Sequence, residues 1–253
     1  MDLGLRDKVV LITGAGGGAG PTIARAFAAE GAIVALNARS ADPSGRAQRT
    51  ADAIVEEGGR AIAVVADLRS TSEVTAMVER LAADTAPVAV LVTATSAYRN
   101  DRFNELDDDA WGSVVDDMLG ATFRVARAVA PAMQSAGWGR IVNVASRSGL
   151  VGVSRAAHYA AAKAGIVGLT RALAKELGPQ GVLVNAVAPT QILTTKDGVP
   201  SIPEERAADM VKQIPVRRIA TPDDLANVVL WLGSAANTYV SGEVISLTGG
   251  AQS

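Results

Sequence analysis

Seven short apolar runs, each followed by a stretch of helical periodicity, leave this chain few ways to fold. The runs are KVVLIT (8–13), AIVALN (32–37), AIAVVA (61–66), VAVLVT (88–93), RIVNVA (140–145), VLVNAV (182–187) and EVISL (243–247). Helical patterns lie near 21–30, 45–57, 71–85, 107–136, 155–177 and 222–234. Runs apolar on both faces belong in a sheet covered on both sides, and strands alternating with helices join most readily as parallel neighbours. The expectation is one α/β domain over 1–253, a doubly wound sheet of Rossmann type. A chain of 253 residues can bury the core this requires without staples. Residues 190–215 break the rhythm: they are polar, hold three prolines and follow the sixth run, where a lid over a site is expected.

Composition narrows the chemistry. Cysteine is absent and there is one histidine, which removes disulfides, thiolate nucleophiles and Cys- or His-cluster metal sites. The formal net charge is −2 with no basic block, so no nucleic-acid partner is expected. No uncharged apolar run is long enough to span a bilayer, and the opening MDLGLRDKVV has no signal-peptide core, so the expectation is a cytoplasmic protein without a membrane partner.

The first run leads into TGAGGGAG (13–20), then Pro21 and an amphipathic helix. Glycines let a backbone approach a pyrophosphate, and a helix N-terminus offers unpaired N–H groups to it. Pro21 suits a first helical turn, and it stands where a Walker-type loop would need lysine after Gly20. Two registers fit: G-x-G-x-x-A from Gly14 to Ala19, or glycines at Gly14, Gly18 and Gly20. The second run closes as LNARS (36–40), where a carboxylate would accept from the ribose hydroxyls of NAD. Ala38 and Arg39 stand there instead, offering a cation to a 2′-phosphate and favouring NADP(H), with NAD(H) not excluded.

In AAHYAAAKAG (156–165), Tyr159 and Lys163 fall one helical turn apart on the same face. Together with the pieces above, the Asp67-Leu68 pair, GRIVNVAS (139–146), VLVNAVAPTQILT (182–194) and the terminal RIATPDDLANVVLWL…YVSGEVISLTGG, the chain resembles the short-chain dehydrogenase/reductase family, in particular its 3-oxoacyl-carrier-protein-reductase-like members, over nearly its full length. The Ser146…Tyr159-x-x-x-Lys163 spacing carries much of that match. The resemblance implies a seven-stranded parallel sheet and hydride transfer between a nicotinamide and a ketone or secondary alcohol. It also implies cofactor contacts at Asp67, Leu68 and Ala94 beside the adenosine, and at Pro189, Ile192 and Thr194 near the nicotinamide, with Lys163 on its ribose.

The chemistry follows from the residue types. Reducing a ketone needs a hydride, polarisation of the carbonyl oxygen and a proton for the developing alkoxide. Ser146 can donate to that oxygen and Tyr159 can supply the proton. A phenol titrates near 10, so the Lys163 cation is expected to lower it.

Three positions depart from the family pattern. Thr93-Ala94-Thr95-Ser96 replaces Asn-Asn-Ala-Gly, with loss of amide hydrogen bonds expected. Met118 stands where an asparagine usually helps hold a relay water, although its backbone carbonyl survives the change, and Thr190 replaces the glycine after Pro189. An active reductase is therefore weighed against a degenerate nucleotide-binding partner with a regulatory or structural role, and against lyase, dehydratase or epimerase chemistry on the same fold. His158 points about 100° from Tyr159 on a helix, which assigns it to packing or the surface. Arg147 is read as a solvated loop charge, with contact to an anionic substrate as the alternative, and Trp138 and Trp231 as packing residues. The acidic run 105–109 suits a helix N-terminus. The small-residue helices 107–136 and 155–177 suit a homotetramer or homodimer, as the resemblance suggests.

Overall fold

A computed structural model describes residues 2–39, 45–196 and 199–251. Ser40, at the end of the second run, and residues 197 and 198 of the expected lid lie outside these.

The apolar runs form β1 (Val9–Thr13), β2 (Ile33–Ala38), β3 (Arg60–Val65), β4 (Val88–Thr93), β5 (Gly139–Val144) and β6 (Val182–Pro189). A two-residue pair, β7 (Thr195–Lys196) and β8 (Val199–Pro200), precedes β9 (Val244–Leu247). The main sheet is parallel throughout, in the order β3-β2-β1-β4-β5-β6-β9, as expected for the doubly wound class. Central β1 is buried along its whole length. Both edges depart from the expectation of strands covered on both sides: β3 exposes Ile62 and Val65, and β9 is only half-buried. A strand with a neighbour on one side only cannot be shielded as central β1 is.

Helices cover both faces: α1 (Gly20–Ala29), α2 (Arg46–Glu56), α3 (Thr71–Asp84), α4 (Asp108–Val115), α5 (Ala121–Ala136), the short α6 (Ser148–Val151), α7 (Ala157–Leu177), α8 (Glu204–Gln213) and α9 (Pro222–Leu232). One core joins Phe27 and Ile23 of α1 to Val229 and Leu232 of α9 beneath β1 and β2. The other joins Met77 and Leu81 of α3 to Val125, Val129 and Met133 of α5 on the opposite face. The acidic run behaves as expected, since the Asp107 side chain accepts from Ala110 N at 2.7 Å and opens α4.

The single helix expected over 107–136 is instead α4, a π-helical turn at Asp116–Gly120, and α5. The extra residue of such a turn re-aims the side chains it carries. The segment 190–215 holds β7, β8 and α8 rather than loop alone, and its Ile202 and Ile214 join Ile219, just beyond it, in a small core. Helix α8 has no buried residue, so its apolar face packs only at the margin.

Candidate active site

All seven parallel strands end on one side, and the connections diverge between β1 and β4, which opens a cleft there. A cavity of about 830 Å³ follows the strand ends, from Arg39, Arg46 and Gln48 past the glycine turn to Ser146, Tyr159 and Lys163. Gly14, Gly18, Ala19, Gly20, Ala94, Pro189, Ile192 and Thr194 also line it. A cavity of about 210 Å³ shares Gly14, Asn37, Arg39, Thr95 and Ser96 with the first and adds Asp67 and Leu68. The structure thus brings every sequence-predicted site residue to one continuous cleft.

The glycine turn chooses between the two registers. Gly14 has φ +68°, and a Cβ there would collide with the Ala94 carbonyl. At Gly20 a Cβ would stand 2.7 Å from Ala15 Cα. Gly18 has φ +58° with nothing within 4 Å of a Cβ position, an open cradle just before α1. The demanding positions are therefore Gly14, Gly18 and Gly20, and the space over Gly18 at a helix N-terminus fits a dinucleotide pyrophosphate.

At the other end, Ser146 follows β5 and is buried; its Oγ accepts from Ser148 N at 3.2 Å. Tyr159 and Lys163 rise from α7. The Lys163 ammonium donates to Val144 O at 2.7 Å and Thr95 O at 3.1 Å, tying α7 to the ends of β5 and β4. Burial brings its pKa down to about 8.

The phenol departs from expectation. Burial raises the Tyr159 pKa, opposed by hydrogen bonding with Ser146 and Ser96, so the group is held protonated. The Lys163 cation, 5.9 Å from the ring centroid, gives two of its three N–H groups to carbonyls, and burial still leaves the phenol raised.

Thr93 makes good part of the expected loss at the fourth strand. Its Oγ1 donates to Asn143 Oδ1 at 2.8 Å, and Asn143 Nδ2 donates to Thr170 Oγ1 at 2.9 Å. Thr170 Oγ1 donates to Ile166 O at 2.8 Å, so a buried polar chain joins β4, β5 and α7. Met118, in the π turn, is fully buried among Val114, Ala145, Ala162 and Ile166, with Tyr159 against that cluster. Its backbone carbonyl accepts from Ala121 N–H.

The opposite end of the cleft is made of ion pairs. Arg39 Nη2 stands 3.4 Å from Asp117 Oδ1, Arg69 Nε 3.9 Å from the same oxygen, and Arg69 Nη2 2.6 Å from Asp67 Oδ2. Hydrogen bonds from Arg69 hold the Asp67 carboxyl down to about 2. Trp138 packs as expected, between Lys8 and Arg140. His158 is wholly buried, which removes the surface half of its reading, and Arg147 is half-buried.

Sequence reasoning missed Asn143, Asp117 and Arg46. Asn143 had a readable signal, a lone amide inside the apolar run RIVNVA. Asp117 had none, because the π turn aims it. Arg46 comes to the cleft through the start of α2, with its guanidinium 3.7 Å from where a Gly17 Cβ would stand.

Comparison with known proteins gives a consistent set. The family model for short chain dehydrogenase matches residues 8–200. Nodulation protein G of Azospirillum brasilense is 35% identical over 247 residues, 97% of this chain and 98% of that protein. The 3-oxoacyl-(acyl-carrier-protein) reductase FabG of Pseudomonas aeruginosa is 36% identical over 248 residues, 98% of each chain. A crystal structure assigned as an NAD(P)-dependent gluconate 5-dehydrogenase from Beutenbergia cavernae, with NADP at low occupancy, superposes with TM-score 0.88 at 37% identity, covering 99% of this chain and 98% of that one.

Proposed function

This chain belongs to the short-chain dehydrogenase/reductase family and is an NAD(P)-dependent oxidoreductase acting at a carbonyl or alcohol carbon; from that premise we propose that it prefers NADP(H) and that Ser146, Tyr159 and Lys163 carry its proton chemistry. The observation that carries the reading is the meeting of that trio and the glycine turn in a single cavity.

Backbone at Gly14, Gly18, Ala19 and Gly20 would hold the pyrophosphate, Asp67, Leu68 and Ala94 the adenosine, and Pro189, Ile192 and Thr194 the nicotinamide. Arg39, with Arg46 beside it on the cavity wall, would meet the 2′-phosphate. When bound, the reduced nicotinamide supplies the hydride for the carbonyl carbon. Ser146 donates a hydrogen bond to the carbonyl oxygen, and Tyr159 gives the alkoxide its proton. A phenol held protonated by burial suits the reductive direction, while oxidation must first remove that proton. Lys163 then steadies the phenolate that remains. The NADP in the Beutenbergia structure and the reductase name of the Pseudomonas relative support the cofactor and a small ketone or secondary alcohol as substrate.

The segment 190–215, with its small core, serves as the substrate lid of a single domain. The small-residue faces of α5 and α7 associate in a cytoplasmic homotetramer or homodimer. Among the described residues no helix is long and apolar enough to cross a membrane.

The test follows NADPH absorbance across a panel of ketones, with Tyr159→Phe as the comparison. Wild-type protein consumes NADPH with at least one ketone, and the variant loses roughly a hundred- to ten-thousand-fold in turnover, the worth of a positioned proton donor. A variant that keeps most of the rate overturns the mechanism.

A further inference from the structure

The loop 94–106 meets the catalytic helix at four points, and three of them touch catalytic groups. Thr95 O accepts from Lys163. Ser96 lies beside the Tyr159 phenol, where it opposes the burial-driven rise of that group's pKa. The Tyr98 ring stands edge-on to the Tyr159 ring, with centroids 5.1 Å apart and planes at 79°. The fourth point has no part in the proton chemistry: Asp101 Oδ2 lies 3.2 Å from His158 Nε2, one residue before Tyr159.

This last contact is unusual in its setting. The His158 side chain is 0% exposed, while Asp101 keeps 27% exposure and also pairs with Arg99 at 3.1 Å. His158 Nδ1 is buried with no partner. A carboxylate oxygen can only accept, so His158 Nε2–H is the donor to Asp101. A buried ring that gains only this polar bond is fixed in place by it. Between Ala94 and Phe103 the loop has no regular secondary structure, so side-chain contacts must hold it.

We propose that His158 is a positioning residue: through Asp101 it clamps the loop 94–106 to the start of the catalytic helix, setting Ser96 and Tyr98 against the Tyr159 phenol and so shaping the substrate side of the site. The proposal rests on Tyr159 acting as the proton donor, since that is the group the clamp serves. Loss of the clamp frees the loop beyond Ser96, while Ala94 N stays on Thr13 O and Thr95 O on Lys163, so the cofactor cradle of Gly14–Gly20 and Ala94 keeps its place. The effect therefore falls on recognition of the carbonyl substrate rather than on nucleotide binding.

The experiment compares Asp101→Ala, Asp101→Asn and His158→Gln with wild type, using a ketone from the panel above and NADPH. Asp101→Ala raises KM for the ketone roughly tenfold, the scale of one lost buried hydrogen bond, with kcat within about threefold and NADPH affinity unchanged. Asp101→Asn keeps an acceptor for Nε2–H, and His158→Gln supplies an amide donor, so both restore most of the wild-type KM. Hydrogen exchange on the cofactor-free protein gives a readout that needs no turnover: loop amides beyond Ser96 exchange faster in Asp101→Ala while helix α7 past Lys163 is unchanged. Unaltered exchange in the loop, or an unaltered KM, overturns the clamp. A Tyr159→Phe variant that keeps its rate overturns the catalytic reading instead, and leaves the exchange result to decide the clamp.

Discussion

At the end of the cleft proposed to be catalytic the polar groups are buried and bonded mostly to backbone or to one another: Lys163 is 2% exposed and Asn143 is fully enclosed. At the end proposed for the adenosine the side chains of Arg39 and Arg69 are 63% and 50% exposed and pair with carboxylates at the surface. The same sheet edge supports both, yet one end is rigid by desolvation and the other adaptable by solvation. An enclosed hydrogen bond is costly to break because the partner left behind has no water to turn to. An exposed ion pair exchanges its partner for water or phosphate at little cost.

Substitutions can break this contrast at either end. The largest effect is expected from Lys163→Met, which removes the cation beside the phenol and lowers turnover by roughly a hundredfold or more, measured as NADPH consumption. The same variant reports on stability. The folded pKa of Lys163, about 8, lies below its ordinary 10.5, so the buried charge destabilises the fold fully below pH 8. That penalty is relieved as pH rises from 8 to 10.5, and wild-type Tm gains on Lys163→Met across this window. A constant Tm difference over the window would show that the ammonium is not desolvated.

At the adenosine end, Arg39→Asp is expected to weaken NADP(H) binding by roughly tenfold to a hundredfold, the worth of a charge-assisted phosphate contact, and NAD(H) binding far less. Fluorescence titration showing equal loss for both would remove Arg39 from the site. Asn143→Ala is expected to cost about 1–3 kcal/mol in denaturant unfolding, because the Thr93 hydroxyl loses its buried acceptor. The smallest effect belongs to Arg69→Ala. Asp67 and Asp117 turn to water when it is removed, and Tm stays within the scatter of repeated scans. A large Tm drop would mean that the adenosine end is as rigid as the catalytic one.

The sequence reading carried most of the fold and left particular pieces out. All seven strands of the main sheet and the principal helices were legible, because burial on two faces leaves continuous apolar runs and burial on one leaves a helical stripe. Helix α8 escaped notice, since its packed face of Ala207, Met210 and Val211 is short and meets only a small cluster. The π turn was invisible too, as a helix with one inserted residue keeps nearly the same composition and periodicity. At the site, glycine spacing and the Ser146, Tyr159, Lys163 pattern pointed to residues that the structure gathers along one cavity. The sign of the phenol's pKa shift was read wrongly because it depends on burial and on where the Lys163 protons are spent.

What the sequence determined by itself is therefore whatever repeats or sits at fixed local spacing: the strand–helix alternation, the glycine turn, and the tyrosine and lysine one helical turn apart. Tertiary structure alone decided that Lys163 bonds Thr95 O and Val144 O, that Thr93 reaches Asn143, that Asp117 stands between two arginines, and that Asp101 meets His158. These contacts join residues up to 78 positions apart in the chain. Local pattern fixes which face a side chain takes along its own element. Which carbonyl or carboxylate it meets, and how much water is removed on meeting it, is set only when the elements pack.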